Sequence, residues 1–256
     1  MVSTAIEFSN VCKKYKRSGN YVVDHVNLSI KEGEFITILG SSGSGKTTLL
    51  KMINRLYEPN EGIIKLFGED IATVDPVKLR RRIGYVIQQV GLFPHMTIAQ
   101  NIAIVPMLLK WKQSKIDSKV IDLLFLVGLD PQEYRNRYPS QLSGGQQQRI
   151  GLARALATDP KIMLLDEPFG AIDAINRVNL QNELLRIHGG LKKTFLLVTH
   201  DINEAFKLGT RVIIMNKGKV SQFDTPRNIV KNPADEFVSS LILSSREQER
   251  FWEGLD

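Results

Sequence analysis

The chain has 256 residues, 43% hydrophobic and 24% charged, with a net charge of +7 and a pI near 9.4. That is enough to bury a sizeable core in one or two domains. Its longest apolar stretch, about Ile102 to Leu109, is broken by Pro106 and falls short of the ~20 residues that cross a bilayer. Met1 to Phe8 carry no apolar signal core, so a soluble protein is expected, and any transport role needs a pore from another chain. The single cysteine, Cys12, rules out an intrachain disulfide, predicts no cysteine-based zinc site and fits a reducing compartment. Basic clusters at Lys13-Lys14-Lys16-Arg17 and Arg80-Arg81-Arg82 lack the aromatic interleaving of a single-strand groove, and no nucleic-acid partner is expected.

Ile6 to Val11 and Val22 to Ile30 alternate and predict two strands, followed by a turn at Lys31 to Glu34. Phe35 to Leu39 is continuously apolar, the pattern of a parallel strand buried on both faces. It runs into a glycine-rich loop. Lys46 to Leu56 has helical spacing and ends at Pro59-Asn60-Glu61-Gly62; Ile63 to Phe67 is a short strand. Between Gln88 and Leu142 the pattern is mainly helical, with helices over Ile98 to Leu109 and from Asp117 to Gly128. A helix over Gln147 to Ala157 follows. Two strand–helix units come next: Lys161 to Leu165 with Ile175 to Ile187, and Thr194 to Val198 with Ile202 to Leu208. Arg211 to Met215 and Lys219 to Phe223 form a hairpin around Lys217-Gly218, and the tail from Pro226 is helical. Alternating strands and helices imply an α/β core with a parallel sheet. The helical block reads as an inserted lobe over 88–157, set into a core of 1–87 and 158–225, with the tail at 226–256.

Gly40-Ser41-Ser42-Gly43-Ser44-Gly45-Lys46-Thr47 fits G-x-x-x-x-G-K-[ST] and sits between an apolar strand and a helix. Such a loop points successive N–H groups at phosphates, and the helix N-terminus adds roughly half a positive charge. Lys46 is placed to reach the β- and γ-phosphates of ATP and Thr47 to ligate Mg²⁺. Ile162 to Leu165 is an apolar strand ending in Asp166-Glu167. Ligands of open α/β sheets lie at the carboxyl ends of strands. Asp166 is thus expected to hold Mg²⁺, directly or through water, and Glu167 to act as base for an attacking water. Leu142-Ser143-Gly144-Gly145-Gln146 precedes a helix, with Ser143 as a good N-cap and glycines that permit close approach to a phosphate. The P-loop already accounts for one ATP, so this second anion site fits the γ-phosphate on another copy.

Together these motifs resemble the ABC transporter ATPases over nearly the whole chain. The resemblance implies a RecA-like P-loop NTPase cassette with an antiparallel β portion and an inserted helical lobe. Two copies would pair head to tail, each ATP lying between one P-loop and the other copy's Ser143, Gly144, Gly145 and Gln146. It also implies roles by position. Tyr15 is similar to the aromatic that stacks on adenine, although a strand-edge aromatic would read the same way. Thr48 adjoins the phosphate loop. Gln88 resembles the Q-loop glutamine that senses Mg²⁺ and faces the transport channel. Ala171-Ile172-Asp173 is similar to the D-loop, with Ile172 where leucine is usual, and Asp173 also suits a helix N-cap. His200 resembles the switch histidine on the γ-phosphate. His25, His95 and His188 receive no role.

A finer resemblance runs through Ile83 to Gln89, Gly91 to Thr97, Asn101 to Ala103, Val105 to Trp111 and Gln146 to Arg149. These stretches look like importers of glycine betaine, choline and carnitine. Many such ATPases carry C-terminal CBS domains. The chain ends too early for them, so either the short form or a truncated one is implied. The expected partners are membrane permease subunits, docked at Gln88 and at Phe93 to Met96, and indirectly an extracytoplasmic binding protein. The expected location is the inner face of the cell membrane. An importer of amino acids or another solute remains open, as does an ABC ATPase outside transport.

Overall fold

The computed structural model describes residues 3–15, 19–88, 91–170 and 172–253, the last six of them as backbone only. Lys16, Arg17, Gln89 and Ala171, named above, lie outside the described residues. In chain order the strands are β1 (Thr4–Lys14), β2 (Tyr21–Lys31), β3 (Phe35–Gly40), β4 (Glu61–Leu66), β5 (Glu69–Asp70), β6 (Ile83–Val86), β7 (Ile162–Asp166), β8 (Thr194–Val198), β9 (Arg211–Asn216) and β10 (Lys219–Asp224). The helices are α1 (Lys46–Ile53), α2 (Pro76–Arg81), α3 (Ile98–Leu108), α4 (Gln113–Leu126), α5 (Pro131–Tyr134), α6 (Gly144–Leu156), α7 (Ala174–Leu191), α8 (Ile202–Leu208), α9 (Pro226–Lys231) and α10 (Glu236–Glu253). Among the described residues no helix is long and apolar enough to cross a membrane. The chain forms two compact units, 1–76 with 194–256, and 77–193.

The first unit holds an antiparallel sheet in the order β2-β1-β4-β5. It also holds the strands β10-β9-β3-β8, with β8 and β9 parallel to β3 and β10 antiparallel to β9. Every residue of β3 and β8 is buried, as their unbroken apolar runs predict. β2 instead buries Val26, Leu28 and Ile30 in alternation, the pattern of a strand with one wet face. Helix α1 turns Leu49, Leu50, Met52 and Ile53 inward and packs on β3 and β8. On α8, the Ala205 carbonyl accepts a buried 2.9 Å hydrogen bond from Thr37 Oγ1 of β3. The two tail helices close an apolar cluster of Leu39, Ala205, Val212, Ile214, Ile229, Val238 and Ile242.

In the second unit β6 and β7 pair in parallel. Helix α6 packs on β6, and α3, α4 and α7 pack on α6. Thr97 and Gln100 form a reciprocal capping box that starts α3.

Several boundaries depart from expectation. Helix α1 stops at Ile53 rather than Leu56, because Arg55 enters the left-handed region at φ 52. Helix α4 begins at Gln113, four residues before Asp117, and α6 at Gly144 rather than Gln147. Helix α7 continues past Ile187 through Gly189-Gly190 to Leu191, stopping at left-handed Lys192. Strands β5 and β6 and helix α2 had no clear periodic signal: β6 is four residues long and contains Gly84.

Leu39 is 1% exposed and lies in the cluster under the strand that delivers the glycine-rich loop. Leu39→Ala should cost ~2–5 kcal/mol, the range for emptying a leucine site in a core. Urea unfolding checks this; a loss below ~1 kcal/mol would contradict the packing described.

Candidate active site

The loop after β3 is shaped by close backbone approaches. A Cβ on Gly45 would lie 2.3 Å from the Val22 carbonyl oxygen, and one on Gly40 2.2 Å from the Met215 carbonyl oxygen. Gly45 also has φ 102, so no other residue fits there without strain. Ser44 N–H donates to the Ser41 carbonyl, closing the turn. Lys46 is 6% exposed, and its Nζ donates to the carbonyls of Gly40 at 2.8 Å and Ser41 at 2.9 Å. The ammonium is thereby folded over the loop beside exposed Ser41, Ser42 and Gly43. Ser44 Oγ is buried with no hydrogen-bond partner among the described residues. An orphaned hydroxyl, a buried ammonium and a helix N-terminus in one loop suit a polyphosphate.

Tyr15 leaves β1 partly exposed, and its hydroxyl lies 3.2 Å from Thr48 Oγ1 on α1. Its ring meets Tyr57 edge-on, with centroids 5.9 Å apart. The structure therefore brings Tyr15 to the helix that carries Lys46, Thr47 and Thr48.

The second unit gathers another group. Asp166 is 6% exposed at the end of β7 and accepts a 3.3 Å hydrogen bond from Tyr85 Oη. Glu167 follows in the left-handed region at φ 47. Its Oε2 accepts from Gln88 Nε2 at 3.0 Å, across 79 positions of sequence. Within this unit Asp166 and Gln88 offer carboxylate and amide oxygens, the hard donors that suit Mg²⁺.

Ser143 caps α6: its hydroxyl accepts from Gln146 N–H at 3.3 Å, while Gln146 Oε1 accepts from Ser143 N–H at 2.9 Å. The motif's glutamine is thus half of a capping box, a role that the Ser-x-x-Gln spacing could have announced. Gln146 Nε2 also donates to Tyr134 Oη at 3.1 Å. Ser143, Gly145, Gln146, Tyr134 and Asn176 line a cavity of about 440 Å³. Asp173 caps α7, accepting from Asn176 N–H at 3.0 Å and Nδ2 at 2.7 Å. That side-chain hydrogen bond from Asn176 is the main cause holding its carboxyl below the usual aspartate value.

His200 is exposed just past β8, in the first unit. Its turn is locked by buried Thr199, whose Oγ1 donates to Glu204 Oε2 at 2.6 Å and accepts from Asp201 N–H at 3.0 Å. Phe93 to Met96 form a loop held by fully buried Asn101. Its Nδ2 donates to the carbonyls of Phe93, Met96 and Thr97, and its Oδ1 accepts from Phe93 N–H. Tyr85, Asn101, Tyr134, Thr199 and Glu204 are the positioning residues that sequence reading missed. Their partners are set by how the turns and strands fold, and no motif in the sequence marks them.

The family model described as "ABC transporter" matches residues 23–170. The choline transport ATP-binding protein OpuBA of Bacillus subtilis is 54% identical over 94% of this chain and 63% of its own length. The glycine betaine uptake system ATP-binding protein YehX of Escherichia coli is 50% identical over 93% of this chain and 76% of its own length. The chain thus spans about 63% of the length of the first of these curated relatives. A solved dimer of the ATP-binding cassette MJ0796, in a post-hydrolysis state with ADP and Pi, superposes with a TM-score of 0.76 at 37% identity, covering 87% of this chain and 99% of that one. Sequence and fold agree: the chain belongs to the ABC transporter family, as one of its ATP-binding cassettes.

Proposed function

We propose that this cassette hydrolyses ATP to drive an importer of quaternary ammonium osmoprotectants such as glycine betaine, choline or carnitine. The observation that carries the ATPase reading is the left-handed Glu167 held by Gln88 at the end of a buried strand, in a chain that also folds a G-x-x-x-x-G-K-[ST] loop. The cargo is supported by the choline transport and glycine betaine uptake for which OpuBA and YehX are named.

ATP is the substrate. The loop from Gly40 to Thr48 binds its phosphates through backbone N–H groups and Lys46, and Tyr15 stacks on adenine. Glu167 takes a proton from the water that attacks the γ-phosphorus in line, while the bond to the β-bridging oxygen breaks. Gln88 orients the Glu167 carboxylate, and His200 donates to the γ-phosphate. Thr47, Gln88 and Asp166 would hold Mg²⁺, which supplies charge neutralisation on the phosphates when bound. Ser143, Gly144, Gly145 and Gln146 of a second copy complete the phosphate cage, and Asp173 caps α7 beside them. Dimer closure and reopening move permease subunits docked at Gln88 and Phe93 to Met96. An extracytoplasmic binding protein delivers the solute. The cassette works in the cytoplasm, peripheral to the inner face of the membrane.

Glu167→Gln should retain ATP binding and slow hydrolysis by ~10²-fold or more, and the slowed protein should accumulate as an ATP-bound dimer. Near-normal turnover would remove Glu167 from the role of base. Only monomer on size exclusion with MgATP at high protein concentration would count against the paired arrangement.

Ser143→Arg should block hydrolysis while leaving the ATP affinity of the monomer nearly intact, because the signature acts on the other copy's nucleotide. A collapse of monomer affinity would place Ser143 in its own copy's site.

Uptake of labelled betaine, choline or carnitine under osmotic stress tests the cargo. Cells lacking this chain, with no second system present, should lose uptake of at least one. Equal uptake with and without the chain would sink the solute assignment and leave the ATPase untouched.

A further inference from the structure

The antiparallel sheet carries a second cluster of ligand-type side chains, apart from the residues assigned to ATP. Cys12 Sγ, a ring nitrogen of His25 and a carboxylate oxygen of Glu61 all lie within 4.8 Å of one another. Strand register explains the meeting. Glu61 of β4 stands opposite Cys12 of β1. On the other side, pairing jumps from Val11 with Val26 to Lys13 with Val23, so Asp24 and His25 together face Cys12 in a bulge. His25 adopts φ 49 there, a left-handed conformation that costs a non-glycine residue ~1–2 kcal/mol. In that conformation its backbone N–H donates to Cys12 Sγ at 3.3 Å.

The His25 and Glu61 side chains are each also held by an outer partner. His25 Nδ1 lies 2.6 Å from Asp24 Oδ1, a contact of the kind that orients a metal-binding imidazole. Glu61 Oε1 accepts from Tyr21 Oη at 2.8 Å. The Tyr21 ring meets the His25 ring edge-on, at 5.8 Å between centroids. Cys12 is fully buried; its sulfur accepts the His25 N–H and faces the Asn10 carbonyl at 3.9 Å. A polar surface network would explain the pairs Asp24–His25 and Tyr21–Glu61. It would not explain a strained histidine donating to a buried sulfur within reach of both.

We propose that Cys12, His25 and Glu61 form a binding site for a zinc-class transition-metal ion, with solvent in the fourth position. A thiolate, an imidazole and a carboxylate match the donor set of Zn²⁺, whereas Mg²⁺ and Ca²⁺ prefer oxygen alone. Zinc bond lengths of about 2.0–2.3 Å place tetrahedral ligand atoms roughly 3–4 Å apart. Closure therefore asks the exposed His25 and Glu61 side chains to move inward by about 1 Å. On binding, the Cys12 thiol releases its proton to solvent. The bound ion would tie β1, β2 and β4 together, on the strand that leads to Tyr15.

The test uses tag-free protein, stripped with chelator and without nucleotide, titrated with Co²⁺ as a spectroscopic probe and then with Zn²⁺ in competition. One equivalent of Co²⁺ should give a thiolate-to-cobalt charge-transfer band that Zn²⁺ abolishes. Cys12→Ser should lose the band, and His25→Ala and Glu61→Gln should each bind at least about tenfold more weakly, with circular dichroism showing all three folded. No band in the wild-type protein at tenfold excess Co²⁺ would overturn the proposal. So would wild-type affinity in both His25→Ala and Glu61→Gln, whose exposed side chains can be removed without emptying the core even if Cys12→Ser fails to fold.

Discussion

The phosphate-type loop is wedged between two backbones, and the first unit is arranged around that wedge. Val22 of the antiparallel sheet presses on Gly45, and Met215 of β9 presses on Gly40. The Gly218 N–H donates to the Ser44 carbonyl, and Asp24 N–H donates to the Gly218 carbonyl. One loop therefore touches β2 and the β9–β10 hairpin together, with no room for a side chain at either contact. Glycine is demanded for space at Gly40 and Gly45, and for a left-handed φ at Gly43 and Gly45. The same clamp sets α1 in place, and α1 presents Thr48 to the hydroxyl of Tyr15. This chain of contacts links the hairpin to Tyr15.

Much of this architecture is legible in the sequence, for a physical reason. Strands buried on both faces must be apolar throughout, so β3, β7 and β8 stand out as runs. A helix that begins with a side-chain cap, such as α3 at Thr97, announces its start. Elements without either device were less legible. Strand β6 is short and carries Gly84, where a Cβ would sit 2.2 Å from Met163 Sδ. Its glycine reflects close packing in space that no local pattern encodes. Helix α4 has Lys112 as its N-cap, with no side-chain cap hydrogen bond, so Asp117 is the stronger signal in the sequence. In the site the same division holds. The residues that make up motifs could be named from the sequence, whereas the hydrogen bonds that hold them could not. Gln88 to Glu167 and Tyr85 to Asp166 join residues about 80 positions apart.

Cys12 illustrates the limit of reading ligands by spacing. Sequence rules for metal sites look for cysteines and histidines at short intervals, and a lone cysteine fails them. A sheet can assemble the same donors from three strands, because residues opposite each other lie about 5 Å apart. The bulge at Asp24 and His25 supplies what regular pairing would not. It turns the His25 N–H toward the sulfur and leaves the ring steadied by its neighbour.

The left-handed backbone of Glu167 resolves a geometric conflict that adjacent acids create. Along a strand successive side chains point to opposite faces. If β7 continued straight through residue 167, Asp166 and Glu167 would diverge across the sheet. Leaving the strand at φ 47 breaks the alternation at that residue, at a cost on the order of 1–3 kcal/mol. The turn is closed by Gly170 N–H donating to the Glu167 carbonyl. The neighbouring strand then supplies both partners from its own end: Tyr85, paired with Leu164, reaches Asp166, and Gln88, just beyond β6, reaches Glu167. Two consecutive carboxylates thus serve one end of one strand with separate hydrogen-bond partners. That separation leaves one acid buried at the strand terminus and the other half-buried beside an exposed glutamine. The metal-holding role proposed for Asp166 and the base role proposed for Glu167 call for that difference in surroundings.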